Sequence, residues 1–150
     1  MIEVKFDDTK VRQALQGLQQ AAGNIAPALR GIGEALAEST KKRFGTTTGP
    51  DGEKWAENKP STLARKKGSR PLTGETRELM DSINSLVFGN DELAVGSPME
   101  YAAMQQFGGT KSEFPNLWAD IPARPFLGIS PADEAKILAI IEEHLLASIR

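Results

Sequence analysis

The chain has 150 residues, of which 25% are charged and 39% are apolar, and its formal net charge is −2. This length and composition indicate an ordered domain with a core of its own, and the absence of cysteine excludes disulfides, thiolate metal sites and cysteine nucleophiles. The single histidine, His144, excludes sites that need two imidazoles. Because the longest apolar run has only five residues and the N-terminus has no signal-peptide core, we expect a protein that is made in a cytoplasm and crosses no membrane.

The N-terminal third of the sequence predicts a strand followed by two helices. Apolar and charged residues alternate over 2–6, which is the pattern of a half-buried strand. Apolar residues then recur at spacings of four, three and four, which predicts a helix over 11–22 that Gly23 ends. The same spacing predicts a second helix, which Asn24 caps and which runs to about Phe44.

The C-terminal half predicts a hairpin and two helices. Residues 83–88 and 93–95 have the composition of strands, and the turn residues at 89–91 join them. A short helix follows over 98–107. Ser130, followed by proline and by an acidic residue three positions on, predicts the capped start of a long apolar helix that reaches the C-terminus.

These elements predict an α+β domain over residues 1–150, in which several helices pack against a small, mostly antiparallel sheet. The sequence contains no repeated βα pattern and no glycine-rich nucleotide-binding loop after a strand. Two long loops, at about 45–70 and 108–124, are rich in glycine and proline and show no periodicity. Loops of this length in a compact domain are usually either functional or partly disordered, and the functional interpretation places the function there.

Charge is distributed unevenly along the chain. Residues 1–80 hold 14 basic and 10 acidic residues, whereas residues 81–150 hold 4 basic and 10 acidic ones. The basic excess is densest over 41–70, where part of it, Lys41 to Arg43, suits the negative end of the second helix. The rest has three open interpretations: a solvated loop, a surface for an acidic protein partner, or a nucleic-acid contact. The split also suits head-to-tail self-association, and the low pI of about 5.5 disfavours a dedicated nucleic-acid domain.

No catalytic motif is present in the sequence. It contains no phosphate-binding P-loop, no G-x-S-x-G and no H-E-x-x-H. Asp51, Glu53 and Glu57 lie close together in the sequence, but they lack the spacing of a calcium-binding loop. An enzyme that uses a pair of carboxylates stays open as a third hypothesis, for which the sequence indicates no substrate. His144 suits a structural position near the end of the last helix. We therefore predict a protein that is not an enzyme and that binds no cofactor and no metal.

Both tryptophans fall in the long loops, where two interpretations are open. Their rings fold back onto the domain, or they anchor a partner, since tryptophan and arginine dominate interface energetics. Arg124 stands between two prolines, which limits its freedom and presents it to a carboxylate or to carbonyl groups, while Phe126 and Leu127 are expected to anchor the loop in the core. The predicted assembly interface consists of Trp55, Lys66, Lys67, Arg70, Phe114, Trp118 and Arg124.

A series of short motifs occurs in a fixed order along the chain: Arg43-Phe44, Pro50-Asp51-Gly52, Trp55, Leu72-Thr73-Gly74, Tyr101-Ala102, Gln106-Phe107-Gly108-Gly109 and the run from Ile121 to Gly128. In these motifs the chain resembles the phage virion morphogenesis family, also called tail completion proteins, of Mu-like and related contractile-tailed phages and prophages. A histidine often precedes Gln-Phe-Gly in that family, and this chain has Gln105 there.

The resemblance implies a non-enzymatic structural protein of the phage neck or tail end, which completes the tail so that head and tail can join. It implies a ring of identical subunits, expected to be sixfold, with neighbouring neck, connector or tail-tube proteins as partners and only non-specific proximity to DNA. The expected location is the virion, after assembly in the host cytoplasm, with no membrane and no small-molecule substrate involved. The alternative reading is a nucleic-acid-binding module built on the basic segment.

Overall fold

The computed structural model describes residues 8–57, 78–89, 91–99, 102–110, 112–113 and 121–149. These residues form five helices and two strands: α1 Thr9–Ala22, α2 Ala26–Thr46, α3 Glu78–Ser82, β1 Asn84–Phe88, β2 Glu92–Gly96, α4 Ala102–Phe107 and α5 Pro131–Ser148. The two strands pair as an antiparallel hairpin, which the short connection between them requires. The predicted α+β class and the predicted hairpin are thus confirmed, while the predicted strand at 2–6 lies outside the described residues.

The chain divides into two compact units. The loop unit contains the described residues within 40–83 and 96–128, and the helix unit contains those within 5–39, 84–95 and 129–150. Helix α2 contributes to both, since the boundary falls between Ser39 and Thr40. The single domain expected from the sequence stays a prediction.

The helices of the helix unit begin and end where local chemistry dictates. Gly23 has φ 78° and donates its N–H to the carbonyl of Gln19, as expected of a glycine that ends α1. The Asn24 side chain accepts from the N–H of Ala26 at 3.0 Å and so caps α2. Both predicted boundaries are confirmed.

A complete capping box begins α5. Ser130 Oγ accepts from the N–H of Asp133, and Asp133 Oδ2 accepts from the N–H of Ser130, each at 3.0 Å. The other carboxylate oxygen of Asp133 accepts from the hydroxyl of Ser39 on α2 at 2.5 Å. The cap that the sequence predicts is confirmed, and it also joins two helices of the unit.

Helix α2 lies between α5 and the hairpin. A Cβ atom added at Gly31 would meet Ile140 at 3.5 Å, whereas one added at Gly33 would meet Ser85 and Leu93 at less than 3 Å. Because two residues correspond to about 200° around a helix, these contacts are on opposite sides of α2. The apolar core that holds this arrangement, to which α1 also contributes, consists of Val11, Leu18, Ile25, Ala28, Leu29, Ile32, Ile137 and Ile141.

Gly33→Ala is expected to destabilise the helix unit by about 1–3 kcal/mol, because the new methyl group overlaps the Ser85 and Leu93 side chains at 2.7 to 2.8 Å. The matched control is Gly17→Ala in the interior of α1, where nothing lies within 4 Å of the new atom. That control should stabilise the protein by roughly 0.5–1 kcal/mol through helix propensity. Thermal unfolding followed by circular dichroism measures both; equal shifts in the two variants would refute the close approach of α2 to the hairpin.

Candidate assembly site

Residues 125–128 are held in the loop unit by side chains instead of by a neighbouring strand. The carbonyl oxygens of four consecutive residues, 125–128, accept hydrogen bonds from three distant side chains. These bonds run from Trp55 Nε1 to Pro125 (2.7 Å), from Arg43 Nη1 to Phe126 (2.8 Å) and Gly128 (3.4 Å), and from Gln106 Nε2 to Leu127 (3.1 Å). We call Arg43, Trp55 and Gln106 the carbonyl clamp. Because backbone groups withdrawn from water need partners, the clamp makes this irregular segment stable.

Gln106 is the clamp residue that binds both N–H and carbonyl groups of the segment. Its amide oxygen accepts from the N–H groups of Phe126 and Leu127, both at 3.0 Å, while its amide nitrogen donates to the Leu127 carbonyl. A primary amide offers donors and acceptors in one plane, as a peptide group does. The buried Gln106 side chain therefore takes the place of a strand residue beside this segment.

The clamp residue Trp55 also belongs to an aromatic cluster. The rings of Phe44 and Trp55 meet edge to face at 5.5 Å, and the rings of Phe44 and Phe126 lie 5.7 Å apart. Phe44 and Phe126 are fully buried, and Trp55 is only 5% exposed. The predicted anchoring of Phe126 in the core is confirmed, and Trp55 follows the interpretation in which the ring folds back onto the protein.

The base of the 108–124 loop is closed by backbone pairing. Gly109 and Ile121 exchange hydrogen bonds of 2.9 and 2.7 Å as an antiparallel bridge. Gly108 has φ 70°, and a Cβ there would lie 2.7 Å from backbone atoms of Ile121 and Ala123. The glycine after Gln106-Phe107 is therefore required both by its left-handed conformation and by this close approach.

Arg124 joins the bases of the two long loops. Its side chain is 9% exposed, and it donates from Nε to the Ala56 carbonyl at 2.9 Å and from Nη2 to the Glu57 carbonyl at 3.1 Å. Of the two roles expected for Arg124, the structure shows the binding of carbonyl groups. Burial lowers the pKa of the Arg124 guanidinium through desolvation, but an arginine stays charged in proteins. Two ion pairs among the described residues, Lys10–Glu134 and Arg12–Asp8, do not involve it.

Only two residues of the predicted assembly interface fall within the described part of the chain. Trp55 and Arg124 both lie in the loop unit, and both bind backbone carbonyls there. Because Trp55 is buried, it can support an interface only indirectly, by holding the loop that contains it. The remaining predicted interface residues, which lie outside the described residues, are Lys66, Lys67, Arg70, Phe114 and Trp118.

Sequence reasoning missed the roles of Arg43 and Gln106. It assigned Arg43 to the negative end of the α2 dipole, but the guanidinium is 6% exposed and binds carbonyls of the 121–128 segment. The helix dipole favours a cation at this end of α2, but the Arg43 guanidinium is held by hydrogen bonds to nearby buried carbonyls. Gln106 received no role at all. The sequence feature that could have drawn attention to Arg43 and Gln106 is that each directly precedes a phenylalanine within one of the ordered motifs.

The acidic cluster of the first loop has a structural role in the described chain. Asp51 Oδ1 accepts from the N–H of Glu53 at 3.0 Å and closes the turn around Gly52, which has φ 86°. Asp51, Glu53 and Glu57 are all exposed. No set of three or more acidic or histidine side chains suited to a metal ion occurs within the described ranges. None of the helices described has the length and apolarity needed to cross a membrane.

These contacts define a scaffold that fixes a loop segment and brings the bases of two loops together. A model of the phage virion morphogenesis family matches residues 6–146, and the chain therefore belongs to this family. Virion morphogenesis is thus the process in which the chain takes part.

Three relatives match the chain over nearly its whole length. The Mu-like prophage FluMu G protein 2 of Haemophilus influenzae is 34% identical over 145 residues, which cover 96% of each chain. The putative capsid assembly protein G of Escherichia phage Mu is 31% identical and covers 99% of this chain and 97% of its own. The FluMu G protein 1 of Haemophilus influenzae is 27% identical over 96% of this chain and 94% of its own. No solved structure matches the chain.

Proposed function

We propose that the chain is a non-enzymatic structural protein that completes the phage tail and joins it to the head. One observation supports the proposal most directly: Arg124 joins the bases of the two long loops. It binds the carbonyls of Ala56 and Glu57 in the 45–70 loop. It also lies three residues after Ile121, whose bridge to Gly109 closes the base of the 108–124 loop. Two loops that start from one rigid base are suited to docking, because little conformational entropy is lost on binding. The Mu relative, named as a putative capsid assembly protein, supports a place in the virion.

The proposed mechanism is assembly by loop docking. In it, the 45–70 and 108–124 loops contact adjacent subunits of a sixfold ring, or the neighbouring neck, connector or tail-tube proteins. The residues proposed to make these contacts are Lys66, Lys67, Arg70, Phe114 and Trp118. Basic and aromatic side chains suit this task, since steering by charge and anchoring by large rings dominate many interfaces.

The direct test of the function is the position of the tagged chain in particles from a producing strain, determined by labelling and electron microscopy. Label at the head–tail junction or the tail end is the expected result. Label that is absent from finished particles would overturn the structural role.

A duplex-DNA titration at two salt concentrations would then test the nucleic-acid alternative, which requires binding that weakens steeply with salt. Arg43 belongs to the basic stretch but is buried on carbonyl groups, which leaves that stretch one cation fewer for phosphates.

The two tryptophans provide a matched pair of variants. Trp118→Ala is expected to leave the protein folded and to impair particle completion, because loop docking loses an anchor. Trp55→Ala is expected to cost about 3–5 kcal/mol of stability, because it removes a buried ring and a clamp hydrogen bond. Urea unfolding and particle counts measure both. If Trp118→Ala unfolds the protein, Trp118 belongs to a core and not to an interface.

A further inference from the structure

The residue that follows α2 has a strained backbone. Thr47 has φ 57°, and it is the one residue other than glycine with a positive φ in the part of the chain that the structure describes. Its N–H and that of Thr48 both donate to the carbonyl of Arg43, at 2.7 and 3.3 Å, which is the pattern of a helix end where glycine normally stands. A β-branched side chain is unfavourable in the left-handed conformation, so other contacts must hold Thr47 there.

A glycine suited to end the helix stands two positions earlier. Gly45 lies within α2, and a Cβ added there would meet nothing within 4 Å. If α2 ended at Gly45, the left-handed conformation would fall on a glycine, which adopts it without strain. The observed helix instead places a glycine in a helical conformation and a threonine in the left-handed one. Local backbone preferences therefore favour a shorter helix than the one observed.

Contacts across the first loop hold the longer helix. We call residues 47–55 the loop turn. The Thr47 carbonyl at its start accepts from the N–H of Trp55 at 2.8 Å, and the carbonyl clamp fixes Trp55 through its indole. Within the turn, Pro50 lies so close to Gly128 that a Cβ added at this glycine would be 2.7 Å from the proline ring. The strained conformation of Thr47 persists because these contacts determine it.

The shorter helix would open the loop turn and leave the clamp in place. Because Trp55 is fixed, a helix that ended at Gly45 would move the Thr47 carbonyl away from the Trp55 N–H. Arg43 and Phe44, which directly precede Gly45, are both buried, and Arg43 is held by carbonyls of the clamped segment. Gly45 itself is exposed. This glycine is therefore placed as a hinge between a fixed part of α2 and its exposed last residue.

We propose that the end of α2 is a conformational switch with two positions, at Thr46 in the free subunit and before Gly45 in the assembled one. The proposal rests on the docking proposed for the 45–70 loop. Opening of the loop turn allows the start of that loop to extend by up to about 3.3 Å per residue, so that it reaches further from the clamp toward a neighbour. Release of the strain at Thr47 offsets part of the cost of opening, and a neighbour that binds the extended loop shifts the equilibrium.

Two substitutions should hold the switch in its free position. Gly45→Ala favours the longer helix through helix propensity, and Thr47→Gly removes the strain at its end. Each should raise the melting temperature by about 2–4 °C and lower the count of completed particles about fivefold, because a bias of this size changes a two-state ratio by that factor. The control is Gly17→Ala in α1, which should raise the melting temperature similarly and leave the particle count unchanged.

A disulfide across the loop turn provides a reversible lock. Thr48 and Lys54 form the antiparallel bridge of the turn, with backbone hydrogen bonds on either side of them. Residues paired in this way have Cα atoms about 4.5 Å apart, which suits a disulfide. Because the chain has no cysteine, Thr48→Cys with Lys54→Cys forms this bond without competing thiols. The oxidised double variant should complete no particles when it is added to an extract that lacks the chain, and reduction should restore completion.

Each single cysteine variant is the control, and it should complete particles whether oxidised or reduced. Three results would overturn the switch: normal completion by the oxidised double variant, normal completion by Gly45→Ala and Thr47→Gly, or a melting temperature that Thr47→Gly does not raise. Failure of the unaltered protein to complete particles in the same extract would refute the proposed function itself, and the switch with it. The two failures are thus distinguished in one experiment.

Discussion

Replacement of Gln106 by leucine is expected to lower the free energy of unfolding of the loop unit by about 3–5 kcal/mol. Leucine fills similar space but leaves two buried N–H groups, of Phe126 and Leu127, without their acceptor. It also removes the donor to the Leu127 carbonyl. Each buried backbone group left without a partner costs about 1–3 kcal/mol, which makes this one of the largest effects expected of a single substitution.

The neighbouring residue provides the control. Gln105→Leu makes the same chemical change one position earlier in α4, where the contact with the 121–128 segment is made by the backbone carbonyl, which accepts from the N–H of Arg124 at 2.8 Å. That variant should change stability by less than about 0.5 kcal/mol. Urea unfolding followed by tryptophan fluorescence is the appropriate measurement, since both tryptophans of the chain fall within 40–128. Equal losses in the two variants would show that Gln106 does not clamp the segment.

Arg124→Lys is expected to cost about 2–4 kcal/mol and to abolish most particle completion, although the positive charge is kept. The planar guanidinium reaches the carbonyls of Ala56 and Glu57 together. A lysine ammonium is a single point donor, and its burial beside carbonyls is unfavourable without that geometry. The bases of the two loops then lose their connection.

The charge-neutral variant Arg124→Leu separates two roles for this residue. If Arg124 acts by holding carbonyls, lysine and leucine should be comparably damaging in both urea unfolding and particle counts. If Arg124 instead paired with a carboxylate of a partner, lysine would retain most of the activity and leucine would not. Because the lowered pKa of Arg124 still leaves it charged, neither result should depend on pH near neutrality.

Much of the helix unit could be predicted from the sequence. Gly23, Asn24 and Ser130 act on backbone groups within four residues of themselves, so the local order of residues is sufficient to place them. The hairpin turn was predictable for the same reason, since three turn residues separate two runs of strand formers. The family was accessible as well, because its motifs are read in order along the chain and require no spatial pairing.

The carbonyl clamp was decided by tertiary structure alone. Arg43 and Phe126 are 83 residues apart, Trp55 and Pro125 are 70 apart, and Gln106 and Leu127 are 21 apart. Every residue has a backbone carbonyl oxygen. The residue types in a sequence therefore do not identify which carbonyl a given side chain will bind. Arg43 was therefore assigned to the helix dipole, and two interpretations each stayed open for Trp55 and Arg124, until the fold brought these side chains to their carbonyl partners. Local residue order was sufficient to place the ends of α1, α2 and α5 and to identify the family of this protein, whereas the polar side chains that hold its loops are set by the packing of segments far apart in the sequence.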